Sequence, residues 1–137
     1  MSTSTKEQID HIHSEWHKMI TTRNLDGLMA LYTDDAVIES SAVLVIEKND
    51  EGVLKGKPAL RAHFDAFFRM VGKDVPDWHR FPGVYTNGEQ LVWEYPSVGP
   101  AGDQLDVVES FDLRDGLISY HRVYWGWRGF KFLGFKG

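Results

Sequence analysis

The dipeptide Asp115-Gly116 constrains this chain more than any other feature. It separates two runs, Gln104–Arg114 (QLDVVESFDLR) and Leu117–Trp125 (LISYHRVYW), in which apolar and polar residues alternate. Asp-Gly between two period-two runs is the signature of a two-residue hairpin turn, because both central residues take the left-handed backbone that Asp tolerates and Gly prefers. Such a turn also sets register. It predicts Leu113 opposite Ile118, Phe111 opposite Tyr120, Glu109 opposite Arg122 and Val107 opposite Tyr124. Leu105, Val107, Phe111 and Leu113 then form an apolar face with Glu109 in its middle. A carboxylate in that place needs a partner or a pocket that uses it.

Other signals fill in the architecture. Trp78–Thr86 and Glu89–Val98 read as two more strands, joined by a second two-residue turn at Asn87-Gly88. Gly99–Asp103 makes a looser connection onward, and the register it suggests brings Leu91, Trp93 and Tyr95 to the face of Glu109. Before Pro76 the period is helical. Ser4 with Glu7 fits a capping box, followed by Ile9, Ile12, Trp16 and Ile20 at helical spacing. Asn24 or Asp26 restarts a short helix carrying Leu25, Leu28, Met29 and Tyr32. Ala36–Ser40 reads as a strand, and Lys48–Gly52 as a turn joining Ala42–Ile46 to Val53-Leu54 in a hairpin. Pro58 opens a third helix with the stripe Leu60, Phe64, Phe67, Phe68 and Val71. Helices first and a strand meander after describe one α+β domain over residues 1–137.

Composition narrows the function classes. A net charge of −5 with scattered Lys and Arg lacks the basic stripe that nucleic acid requires. There is no cysteine, which excludes disulfides, thiol catalysis and zinc–thiolate sites. The N-terminal segment MSTSTKEQIDHIHSEW has no apolar core of a signal peptide, and no apolar run is long enough to span a membrane, so a cytoplasmic protein is the default expectation. No nucleophile elbow and no glycine-rich phosphate loop occur.

Glu109 and Arg122 have two readings. As a structural pair they staple two strands. As a functional pair, Glu109 serves as acid or base while Arg122 orients it or holds an anionic group. Among the six histidines, His13 and His17 stand four apart on the first helix with His11 nearby, but without the Glu of a zincin helix they read as solvated, with His13 at a rim and no metal bound. His63 reads as a satisfied, partly buried histidine, and His121 alternates away from Glu109 toward solvent or a dimer partner. The aromatic tail from Trp125 to Gly137 reads as packing at the core edge, at the pocket mouth or at a dimer seam.

The segment Glu15–Ser40, above all Asn24–Val37 (NLDGLMALYTDDAV), together with Lys55–Phe64 (KGKPALRAHF) and Asp115–Trp125 (DGLISYHRVYW), resembles the nuclear-transport-factor-two-like superfamily and its SnoaL-like polyketide cyclase and ketosteroid isomerase branches. The resemblance implies a cone: a curved, mostly antiparallel sheet wrapped around three N-terminal helices, with an apolar pocket between and a homodimer through the outer face. It aligns the isomerase's oxyanion-hole acid with Glu109, its oxyanion-hole tyrosine with Trp16, its aspartate base with Ser40, and two pocket positions with Tyr120 and Tyr124. Ser40 cannot act as that base, so the activity is not expected to be ketosteroid isomerisation.

The combined expectation is a cofactor-free acid–base enzyme of isomerase, cyclase or dehydratase type, acting on a small apolar cyclic or carbonyl substrate. Glu109 and Arg122 are the candidate catalytic residues, and Trp16, Tyr32, Ser40, Phe64, Trp93, Phe111, Tyr120 and Tyr124 the candidate pocket. The alternative is a non-catalytic small-ligand-binding or dimeric interaction module.

Overall fold

A computed structural model describes residues 3–71 and 78–134. Pro76 and the last three residues of the aromatic tail lie outside them. Helix α1 (Lys6–Thr21) opens with a capping box, but at Thr5 and Gln8, one residue beyond Ser4 and Glu7. Gln8 accepts from the cap N–H as readily as a glutamate does, so the motif alone does not fix the start. Ile9, Ile12, Trp16 and Ile20 are all buried. Asn24 caps α2 (Leu25–Met29) by accepting from the Gly27 N–H at 2.9 Å.

Strand β1 (Tyr32–Ser40) begins four residues earlier than expected. The apolar run after it is not a hairpin arm but a helix, α3 (Ser41–Ile46), capped by the Ser40 hydroxyl. A short apolar run does not tell strand from helix, and the cap decides. The chain returns as β2 (Val53–Lys55), which pairs with β1. Helix α4 (Lys57–Val71) follows, with Leu60, Phe64, Phe67, Phe68 and Val71 buried as the stripe requires.

Of the strand expected over Trp78–Thr86, only β3 (Tyr85–Thr86) forms. It pairs with β4 (Gln90–Tyr95) through Thr86 and Leu91, so the turn has four residues rather than two. The Asn87 side chain organises it by accepting from the Glu89 and Gln90 N–H groups. The looser connection holds a small hairpin, β5 (Val98–Gly99) and β6 (Gly102–Asp103). Then come β7 (Val107–Arg114), β8 (Leu117–Trp125) and α5 (Trp127–Phe132).

The main sheet runs β2-β1-β8-β7-β4-β3, antiparallel except for the β1–β8 pair, and its edges stay open. It curves, and α1 and α4 pack their apolar stripes into its inner face. Leu91, Trp93 and Tyr95 pair with Phe111, Glu109 and Val107 and share that buried face, as expected.

The hairpin itself carries the main correction. Asp115 and Gly116 take φ of 54° and 78°, as the two-residue turn requires, and Leu113 faces Ile118. The register then slips by one residue. Asp112 faces Tyr120, Phe111 faces His121, Ser110 faces Arg122 and Glu109 faces Val123. Ser119 is the extra residue of a β-bulge, sealed by its hydroxyl donating to the Asp112 carbonyl at 3.2 Å. One inserted residue reverses every later side chain of β8. His121 therefore points into the core, and Tyr120, Arg122 and Tyr124 belong to the outer face.

Candidate active site

Glu109 reaches the inner face from the centre of β7 and is 5% exposed. Its partner is not Arg122 but His121, 1% exposed, whose Nε2 bonds Glu109 Oε2. His121 Nδ1 lies 3.0 Å from the Tyr32 hydroxyl, which accepts from Trp16 Nε1–H at 3.0 Å. The direction of the chain follows from its donor-only end. Trp16 can only donate; the assignment that also gives the Tyr32 proton an acceptor directs it to His121 Nδ1 and directs the Nε2 proton of His121 to the Glu109 carboxylate. Trp16, Tyr32, His121 and Oε2 of Glu109 are then all satisfied. Burial pushes the Tyr32 hydroxyl pKa well up; the Trp16 bond opposes this and the Glu109 charge adds to it.

Aromatic rings fix the imidazole. Phe111 stacks on His121 with ring centres 4.2 Å apart, Phe64 lies parallel at 6.3 Å, and Trp16 meets it edge-on at 5.7 Å. Trp93 packs on Phe111 at 4.5 Å. Such a cage leaves the ring little rotational freedom, so the hydrogen bond to Glu109 is preorganised.

A small, partly open cavity lies beside the pair. Glu109, His121, His63, Phe64, Ser40 and Trp125 contribute to its wall, and its volume is about 30 Å³. That is room for a water molecule or two, far below the roughly 300 Å³ at which ligand pockets begin. Trp78 belongs both to this wall and to the wall of an open groove of about 330 Å³ bounded by Val71, Gln104, Arg128 and Phe132. The groove is larger but chemically quiet, since its charged residues Asp103 and Arg128 pair with each other at 2.8 Å. Among the described residues no three His, Asp or Glu side chains are arranged to hold a metal ion, and no helix is long and apolar enough to cross a membrane.

The SnoaL-like domain profile matches residues 13–121, most of the chain. The chain belongs to the SnoaL-like family. Among solved structures this SnoaL-like chain is similar to a SnoaL-like protein of unknown function from Burkholderia thailandensis, with a TM-score of 0.73 and 20% identity over 91% of this chain and 99% of that one. It also resembles a candidate polyketide cyclase from Sinorhizobium meliloti, with a TM-score of 0.61 and 16% identity over 85% and 98% of the two chains. A third relative is a Mycobacterium tuberculosis protein crystallised with estradiol-17β-hemisuccinate, with a TM-score of 0.54 and 19% identity over 88% and 95%. At these identities the likeness is one of fold. No curated protein matches the sequence.

In the SnoaL-like frame the expected site residues divide. Trp16, Tyr32, Phe64, Trp93 and Phe111 gather around Glu109 and His121. Ser40 lines the cavity, but its hydroxyl is engaged in accepting from Trp125 Nε1 at 2.9 Å and from the Ala42 N–H at 3.1 Å. Arg122, Tyr120 and Tyr124 do not reach the site. Arg122 meets Asp112 at 3.2 Å and Glu39 at 3.4 Å and lies over the Tyr120 ring, while Tyr124 is 58% exposed.

Three histidines also differ from expectation. His121 is central rather than outward. His63 is buried, and among the described residues its Nδ1 makes no well-aligned hydrogen bond, so it is not satisfied. His17 is half-buried, stacks on Tyr95 and bonds its hydroxyl at 2.8 Å; burial, with Arg80 and His13 nearby, holds its pKa down to about 4. His13 packs against Trp93 at 5.3 Å. A burial argument could have found His121, because a strand that must turn either His or Arg into a core turns in His.

Proposed function

We propose that this SnoaL-like protein is a cofactor-free acid–base enzyme that moves protons at carbon next to a carbonyl in a small, largely apolar substrate. The observation that carries the reading is a carboxylate in an apolar cavity, held by an imidazole that aromatic rings and a Tyr–Trp chain lock in place. Oε2 of Glu109 is committed to His121, and Oε1 carries no hydrogen bond among the described residues. Glu109 is the base, His121 its positioning residue, and Tyr32 and Trp16 fix the tautomer. Phe64, Phe111 and Trp93 form the apolar surroundings. Substrate enters from the open groove by displacing Trp78, the shared wall. The estradiol ester bound by the mycobacterial relative supports an apolar, ring-containing ligand class.

A second reading is favoured by the cavity volume. A space of about 30 Å³ suits a non-catalytic module, monomeric or dimeric, in which Glu109–His121 only organises the core. Deuterium uptake at the α-carbon of cyclohexanone in D₂O, followed by proton NMR, separates the two. The enzyme reading expects the wild type to accelerate exchange and Glu109→Gln to lose about 100-fold or more. Equal rates with and without protein, and no ligand-induced rise in melting temperature across a panel of cyclic ketones, would overturn it.

A further inference from the structure

We propose that His63, on α4, is a second proton-transfer residue of this cavity, acting opposite Glu109, and that Glu47 connects it to solvent. The proposal rests on the carbonyl chemistry above. His63 lines the same cavity as Glu109 and His121 but comes from the helical side, so the two acid–base groups stand on different elements. It is 3% exposed, and among the described residues its buried Nδ1 makes no well-aligned hydrogen bond. Such orphaned atoms are rare in folded proteins and call for a reason.

Glu47 supplies one. It is the C-cap residue of α3, and its Oε1 lies 3.4 Å from His63 Nδ1. That separation makes Glu47 the ion-pair partner of a protonated His63, and its charge and hydrogen bond favour the protonated form. The Glu47 side chain is 30% exposed, so it reaches water. The network behind Glu109 does not: His121, Tyr32 and Trp16 are buried to within 1%, and that chain ends inside the core. His63 and Glu47 are therefore the titratable groups that would link the cavity wall to water.

The step balances without any further reactant. Protonated His63 gives its proton to the carbonyl oxygen while Glu109 takes one from the adjacent carbon. The C–H electron pair forms the C=C bond, and the carbonyl π pair passes to oxygen, leaving an enol, neutral His63 and protonated Glu109. Return of the two protons, with the one on Glu109 going back to the same carbon or to another, regenerates both groups.

The surroundings set the pH dependence. Burial lowers the His63 pKa below the usual histidine range, the Glu47 charge and contact raise it, and His121 lowers it. The rate is then expected to fall as pH rises through the His63 pKa.

The test is the rate of cyclohexanone deuteration from about pH 4 to pH 8, the window in which histidines titrate, for wild type, Glu109→Gln, His63→Asn and Glu47→Gln. His63→Asn is expected to lose about 100-fold and to abolish the falling limb. Glu47→Gln is expected to slow exchange at every pH, because an amide cannot pass the proton on, and to move the limb to lower pH. A folded His63→Asn with wild-type rate and limb overturns the proposal. If that variant does not fold, an unmoved limb in Glu47→Gln overturns it instead. Loss of rate in Glu109→Gln alone sinks only the role of His63, whereas full rate in Glu109→Gln, or no catalysis by the wild type, sinks the underlying reading as well.

Discussion

Strands β7 and β8 carry two polar clusters, one on each face of the sheet, each built around a carboxylate with a nitrogen partner, and they differ in burial. On the inner face Glu109, His121, Tyr32 and Trp16 form a closed chain of hydrogen bonds with almost no water contact. On the outer face Arg122 meets Asp112 and Glu39 and lies over the Tyr120 ring, with side chains 30–42% exposed across the three charged residues. The inner cluster has no alternative partner for any of its groups. The outer one has solvent in reserve. The same chemistry is therefore irreplaceable on one side of a strand and dispensable on the other.

The largest effect should come from cutting the inner chain. His121→Leu removes the only hydrogen bond to the Glu109 carboxylate among the described residues, takes the acceptor from the Tyr32 hydroxyl, and leaves the buried carboxylate without a donor. A loss of about 3 kcal/mol is expected, read as a fall in the urea midpoint. The double variant Glu109→Leu with His121→Leu should recover much of it, because an apolar pair no longer strands a charge. A cost below about 1 kcal/mol for the single change would put the inner cluster in the range of exposed pairs and erase the contrast.

The contrast could be read only in part from the sequence. The helical stripes of α1 and α4, the Asp115-Gly116 turn and the shared face of Leu91, Trp93, Tyr95 and Phe111 follow from periodicity and turn chemistry, which are local. Glu109 was also legible, as a carboxylate in an apolar alternation. Its partner was not. Ser119 has no residue type that announces a bulge, and one extra residue exchanges Arg122 for His121. Helix α3 escaped for a related reason: whether Ala42–Ile46 coils depends on the Ser40 cap and on where β1 ends. His63 looked ordinary because its environment is set by Glu47, sixteen positions away in the chain and on another helix.

A second prediction sharpens the comparison through pH. Burial on the inner side and its border weakens proton binding by three histidines. His13, His17 and His63 all have pKa values lowered, first by burial. His17 is the clearest, its pKa held down to about 4 against an ordinary histidine value of 6.5. Between those values the unfolded chain binds a proton that the folded chain refuses, so its contribution is present above about pH 6.5 and is lost as pH falls toward 4. His17→Gln should therefore flatten the fall of the urea midpoint across that window, with His13 and His63 leaving a residual slope. A variant whose midpoint tracks the wild type at every pH would show that His17 protonates freely, and that the border of the inner face is as wet as the outer side.

The smallest effect belongs to the outer cluster. Arg122→Ala removes two ion pairs and a stacked guanidinium, which sounds costly when counted as contacts. Each is solvent-exposed, though, and holding a long side chain in one geometry costs entropy that offsets most of the gain. The expected loss is about 1 kcal/mol or less, and it should shrink further in about 1 M salt, where charges beyond roughly 3 Å are screened. Arg122→Lys keeps the charge but not the planar fork, so a value close to that of the alanine variant would mean that stacking on Tyr120, rather than charge, supplies what remains. A loss above about 2 kcal/mol would exceed what an exposed pair can contribute. The outer face would then have to be covered in solution, and the distinction between the two faces would lie in what lies against each rather than in the strands themselves.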